Sequence, residues 1–471
     1  MSEERITRDS MGEMRVPADA YWDAQTARAR DNFPISGMGP LPVFVWASVL
    51  VKWAAANANT ELGLLDSETG KAIMQAADEV MAGDLADQFV VDVFQAGAGT
   101  SHHMNVNEVL ASRASEILGG ARGDFSRVHP NDHVNYGQST NDVIPTAIRV
   151  GAVRTTADLL ENLTLLEEAF ASKGREFDDI LKSGRTHLQD AVPIRLGQEF
   201  AAWASALGRS RESIATARTG CLELGIGGSA AGTGLNNHPE YRALVCKALS
   251  SKTGEEYRTA VDMRESMQSM QPFVLLSGTL RALSVELSRI CNDLRLLSSG
   301  PTTGLGEIRL PPVQPGSSIM PGKVNPVICE MVNQVCFQVM GNDHTVAMAA
   351  GAGQLELNVM MPVLGFNLLW SIEILSSAVD VLTRKCVTGI EADREQCERY
   401  AANTLGLATA LNPCIGYDAA AEVVKEAQST GKTIAEVVLE KALMTEEEIA
   451  AFFEPHGMTE PGIPRCPDQE E

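Results

Sequence analysis

The sequence predicts a mainly α-helical fold: an elongated central five-helix bundle flanked by N- and C-terminal domains. Three observations predict it. Apolar residues recur at three- and four-residue steps in five long segments, 159–181, 198–224, 267–297, 327–348 and 366–387. Strand-like alternation is scarce. The five segments follow one another between about 145 and 390, which argues for one bundle.

Taken in order, residues 1–141 form a mixed, mainly helical domain rich in turns, 142–390 the bundle, and 391–471 a small helical domain. The run AMAAGAG at Ala347–Gly353 allows another helix to approach closely. Helices apolar on more than one face must be buried, which predicts self-association. In the last domain Thr433-Ile-Ala-Glu436 and Thr445-Glu-Glu-Glu448 are capping boxes, each heading a short helix. The tail EPGIPRCPDQEE is Pro-rich and acidic, and is expected to fray.

Composition narrows the partners. The 471 residues carry a formal charge of -23, which repels nucleic acid and anionic membrane surfaces. No uninterrupted run of about 18 apolar residues occurs; the longest candidate, Leu41 to Ala56, is broken by Lys52. The N-terminus lacks the apolar core of a signal peptide. The nine cysteines, without a C-x-x-C pair, predict reduced thiols packed as small hydrophobes in a cytoplasmic protein.

The densest chemistry lies in Gly316-Ser-Ser-Ile-Met-Pro-Gly-Lys-Val-Asn-Pro326. A phosphate-binding Walker loop needs four residues between its glycines and Ser or Thr after the lysine. Here five intervene, Val324 follows Lys323, and the approach RLPPVQP forbids a central strand. The loop instead suits a carboxylate, with one cation, one amide, hydroxyls and free N–H groups beside a helix start near Pro326. Three further polar stretches accompany it: Gly97–Ser101, Asn131–Asp142 and Ser183–Asp190. Each alone is ordinary capping; together they make capping a weaker account.

These stretches resemble the fumarase/aspartase superfamily, whose members eliminate a group from succinyl-type substrates to release fumarate. GSSIMPGKVNP resembles its signature, and MGEMRVPADAYWDAQTARARDNFPIS, DQFVVDVFQAGAGTS, HPNDHVNYGQSTND, SGRTHLQDAVPIRLGQEF and GTGLN resemble the same family in order. The resemblance implies a homotetramer with a twenty-helix core, active sites drawing on three subunits, and no cofactor or metal. It implies Ser317 as the catalytic base. Lys323 and Asn325 then bind a substrate carboxylate, while Thr100, Ser139, Thr140, Asn141 and Thr186 hydrogen-bond to the substrate. His187 is implied as catalytic and substrate-binding: in fumarases the matching histidine pairs with a glutamate corresponding to Glu330, and in aspartases it binds a carboxylate. His129, Asn131 and Asp132 resemble an accessory anion site, with turn capping an equal reading.

The expected activity is reversible anti elimination of ammonia from L-aspartate to give fumarate. Thr140, where fumarases usually carry serine, and the strings GAGTS, ICNDLRLLSSGP and GQLELNVM lean that way. His129, Gly227-Gly228 and Met361-Pro362 lean toward the branch that interconverts malate and fumarate. Some superfamily members are structural lens proteins, a third reading that the intact loop chemistry disfavours.

Overall fold

The computed structural model describes residues 3–404 and 406–462, so residues 463–471 of the acidic tail lie outside the described residues. The chain is mainly helical and packs as two compact units, one formed by 1–161, 212–284 and 335–376, the other by 162–211, 285–334 and 377–471. Each of the five bundle helices contributes one end to each unit.

The first unit opens with an antiparallel hairpin, β1 (Glu4–Asp9) and β2 (Gly12–Pro17). Helices α1 (Ala24–Asn32), α2 (Pro42–Glu61), α3 (Ser67–Met81) and α4 (Thr100–Ile117) follow. Pro42 heads α2, where its missing N–H costs nothing, and Asp66 caps α3 by accepting from Glu68 and Thr69 N–H. Trp22, Val49, Ile73, Val106 and Leu110 close a core over these elements.

The bundle comprises α5 (Thr140–Glu176), α6 (Leu196–Arg218), α9 (Gln271–Leu297), α10 (Val327–Gly351) and α11 (Met361–Lys385). Between α5 and α6 stands an antiparallel pair, β3 (Leu181–Thr186) and β4 (Gln189–Arg195). The short helices α7 (Tyr241–Thr253) and α8 (Met263–Gln268) separate α6 from α9. The sequence expectation for the third bundle helix, from 267, is corrected at its start. Pro272 fits only in a first turn, so α9 begins at Gln271 and residues 263–268 form their own helix. The first bundle helix begins earlier than expected, at Thr140, and carries Pro145 in its second turn.

Within the first unit Gly365 of α11 lets Ile148 of α5 approach, since a Cβ there would lie 2.7 Å from Ile148 Cδ1. The Arg149 guanidinium stacks 4.8 Å from the Phe273 ring, and Ser277 donates to Asp343 at 2.7 Å. Within the second unit Phe170 and Phe177 pack on Phe200, whose ring also lies 4.8 Å from Trp203. The segment Met361–Gly389 is long and apolar enough to cross a membrane by length and composition. Leu364, Leu368, Ile372 and Val379 are nevertheless buried within the chain.

The C-terminal helices α12 (Arg394–Asn403), α13 (Leu407–Ile415), α14 (Tyr417–Thr430), α15 (Ile434–Glu440) and α16 (Glu446–Phe452) close a small core around Leu411, Val423 and Val437. Both capping boxes form at Thr433 and Thr445. Among the described residues seven buried cysteines are in no disulfide. Cys414 departs from the all-thiol expectation, being disulfide-bonded. Phe200 is fully buried, so Phe200→Ala is expected to cost about 3–5 kcal/mol, read from chemical denaturation. A loss under ~1 kcal/mol would remove the aromatic cluster as a determinant of this packing.

Candidate active site

In the first unit, Thr100 is the exposed first residue of α4, reached through left-handed backbone at Ala98 and Gly99. Ser139, Thr140 and Asn141 sit at the start of α5. Ser139 Oγ accepts the Asn141 N–H at 3.2 Å, an ordinary cap. The Asn141 amide donates to the Ala230 carbonyl at 2.9 Å. Pro145 has no N–H to return to the Asn141 carbonyl, so the helix leaves that acceptor without its usual donor. The Thr140 hydroxyl lies 2.7 Å from His103 Nδ1, which joins the start of α5 to the first turn of α4.

Beneath these residues the buried Asp142 carboxylate accepts N–H bonds from Ser139 at 3.0 Å, Gly227 at 3.0 Å and Ser229 at 2.9 Å. Burial pushes its carboxyl up to about 6, while the three N–H donors and Lys52 pull the other way. Lys52 is itself fully buried. Its Nζ lies 2.6 Å from His103 Nε2, 2.9 Å from Asn135 Oδ1 and 3.0 Å from Gln138 Oε1.

In the second unit, Thr186 and His187 stand at the tip of the β3–β4 hairpin, not in an irregular loop as the sequence suggests. Register pairs Thr186 with Gln189, so His187 and Leu188 are a two-residue turn, at φ 56 and 57. Such a turn ordinarily takes Asn-Gly, and a bulky residue in the left-handed region costs about 1–2 kcal/mol. The foot of the hairpin supplies rigidity: buried Lys182 contacts Glu199 at 2.7 Å and Glu307 at 3.0 Å, and Arg185 holds Glu307 at 2.8 Å. Lys182, Arg185 and Glu199 border a cavity of about 310 Å³ that also touches Leu188 and Trp203.

The signature loop is clamped at its neck. Gly316 N–H donates to the Lys323 carbonyl at 2.8 Å, and the Asn325 amide donates to the Gly316 carbonyl at 2.6 Å. A Cβ on Gly316 would lie 2.6 Å from that Lys323 oxygen, and Gly322 turns at φ 80. Both positions therefore demand glycine. Ser317 Oγ accepts N–H bonds from Ile319 at 3.2 Å and Met320 at 3.0 Å. Lys323 is exposed, and Glu330 lies partly buried in the first turn of α10. Among the described residues no hydrogen bond or ion pair joins His187 to Glu330. His129 accepts from Asn131 and Asp132 N–H at 3.3 and 3.2 Å, the geometry of a turn cap.

A family profile described as Lyase matches residues 12–341, and one described as Fumarase C C-terminus matches 407–460. The chain belongs to the fumarase/aspartase lyase superfamily. It is 47% identical over 459 residues to a Helicobacter pylori protein named aspartate ammonia-lyase, covering 97% of this chain and 98% of that one. It is 50% identical over 465 residues to a Halobacterium salinarum protein named fumarate hydratase class II, covering 98% and 99%. A solved fumarate lyase:delta crystallin from Brucella melitensis bound to cobalt superposes with a TM-score of 0.94 at 48% identity, covering 98% of this chain and 100% of that one.

As a member of this superfamily the chain carries supports that sequence reasoning missed: Lys52, His103, Asp142 and the Lys182–Glu307 brace. The signal for Lys52 was present, a lone charge within an apolar run. Its partners begin 51 residues away, at His103.

Asp142 also predicts a pH dependence. The folded chain retains a proton there between the ordinary value of 3.8 and about 6, where the unfolded chain has released it. This contribution to stability is full below the lower value and is lost as pH rises through the upper. Asp142→Asn is expected to flatten the slope of unfolding stability against pH across that window, followed by denaturation midpoints. An unchanged slope would mean that Asp142 does not take up that proton.

Proposed function

We propose that this lyase reversibly eliminates ammonia from L-aspartate in the anti sense to give fumarate, with Ser317 as the base. The observation that carries the reading is the pair of backbone N–H groups on Ser317 Oγ. A serine hydroxyl is protonated at neutral pH, and two donors aimed at its oxygen favour the alkoxide. The abstracted proton sits on the carbon beside a carboxylate, so its loss builds a second negative charge on that group. Stabilising this aci-carboxylate is the main electrostatic demand. Lys323 and Asn325 are assigned to that carboxylate. Thr100, Ser139, Thr140, Asn141 and Thr186 are assigned to orienting the substrate, and His187, supported by Glu330, to its other end.

The relatives divide by leaving group. The Helicobacter pylori protein's name supports ammonia elimination, and the Halobacterium salinarum protein's name supports a second reading, hydration of fumarate to malate. We read the chain as acting in the cytoplasm, in sequence segments 1–141, 142–390 and 391–471, without an added cofactor. A homotetramer accounts for apolar surface on the bundle, where Phe337 and Met348 of α10 are 60% and 65% exposed in the single chain. Sedimentation should find four copies; a monomer at working concentration would sink that assignment.

Absorbance of fumarate, followed with L-aspartate and then L-malate, separates the branches; turnover of malate alone overturns the ammonia-lyase reading. Ser317→Ala is expected to lose about 10² to 10⁴ in turnover while still binding substrate. Near-normal rates would remove Ser317 as the base. Lys323→Ala is expected to raise KM and lower kcat together, because its contact exists before reaction and strengthens during it.

A further inference from the structure

A hairpin of two strands is marginal by itself, and among the described residues β3–β4 pairs with no third strand. Its tip adds the left-handed His187 and Leu188. Lys182, Arg185 and Glu307 secure β3. The hold on β4 comes from the C-terminal segment, which carries none of the candidate site residues.

The Ala191 carbonyl of β4 accepts the Thr404 hydroxyl at 3.2 Å, and Thr404 Oγ1 in turn accepts the Gly406 N–H at 3.3 Å. Thr404 is 1% exposed, so losing its hydroxyl leaves the Ala191 carbonyl and the Gly406 N–H short of a partner. Gly406 presses on the same peptide: a Cβ there would lie 2.0 Å from the Ala191 oxygen and 2.5 Å from its carbon. Its φ is -61, an ordinary value, so close approach rather than backbone conformation calls for glycine. Gly184 approaches the next peptide from β3, where a Cβ would lie 2.5 Å from the Val192 oxygen. Ala191 and Val192 are thus held from β3 and from the C-terminal segment together.

Two further contacts join the same partners. At the foot of β4 the Arg195 guanidinium donates to Thr459 Oγ1 and contacts Glu460 at 2.6 Å. On β3 the Arg185 guanidinium lies 5.2 Å from the Tyr400 ring. Ala191 stands two residues from Gln189, the register partner of Thr186, so a shift of this peptide passes to the tip.

We propose that the C-terminal segment positions the hairpin for the reaction, Thr404 and Gly406 holding Ala191 of β4 and through it Thr186 and His187. The inference rests on Thr186 and His187 contacting the substrate, as proposed above. Thr404 and Gly406 are positioning residues: they act through the hairpin and touch no assigned substrate group. Displacing an orienting group by about 1 Å costs on the order of 10²-fold in rate, and a hairpin held along one strand only leaves its tip that freedom.

Hydrogen exchange in the full-length protein tests the hold directly. Thr404→Val removes both bonds of the hydroxyl at nearly constant shape. It is expected to raise amide exchange about 10-fold in peptides covering 181–195, the scale of one hydrogen bond, with peptides of α5 and α9 unchanged. Thr404→Ser keeps the hydroxyl and should restore the wild-type rate. Unchanged exchange in Thr404→Val overturns the proposal whatever the substrate. In turnover of whichever of L-aspartate and L-malate the wild type accepts, Thr404→Val and Gly406→Ala should each lose about 10-fold or more in kcat/KM. Thr404→Ser should stay within about twofold of wild type. Loosened exchange with full turnover overturns the positioning role. If Thr186→Ala and His187→Ala themselves keep full turnover, the substrate reading of those residues fails separately, and exchange still decides the hold on the hairpin. If Gly406→Ala does not fold, Thr404→Val carries both measurements with the same outcomes.

Discussion

The buried carboxylate of Asp142 is the constraint on which the candidate site residues of the first unit depend. A carboxylate removed from water without partners costs several kcal/mol, and here three backbone N–H groups compensate it. Those donors come from the polar turn before α5 and from the Gly227–Ser229 turn, so satisfying one charge ties two distant segments together. Ala230, one residue beyond, then receives the Asn141 amide. The position of Asn141 follows from the burial of its neighbour.

In the second unit the same economy of charge holds two exposed features. The hairpin tip keeps His187 and Leu188 in left-handed backbone, a conformation that persists only when the surroundings over-determine it. Buried Lys182 and Glu307 provide that determination at the strand's foot. The signature loop is closed by its own backbone and by Asn325, so Ser317 is presented from a braced turn. The candidate site residues thus stand on short polar connections, while the long helices supply rigidity.

Members of this superfamily that differ in leaving group share this scaffold, as the near-equal identities to an aspartate ammonia-lyase and a fumarate hydratase make plain. Ammonium and hydroxyl groups are close in size but differ in hydrogen-bond polarity.

The sequence by itself determined the helical class, both C-terminal capping boxes and the clustering of chemistry in Gly316–Pro326, because each is local: periodicity, cap spacing and glycine–proline punctuation act within a few residues. It also pointed to the family through many short matches in order. It did not disclose the β3–β4 hairpin, whose strand LKSGRT has no clear alternation and is pinned by ion pairs to Glu199 and Glu307. Nor did it assign Lys52, which reads as an interruption of an apolar run until folding places His103, Asn135 and Gln138 around its nitrogen. Whether a buried charge is a defect or a device depends on its partners, and only the tertiary structure brings those partners together.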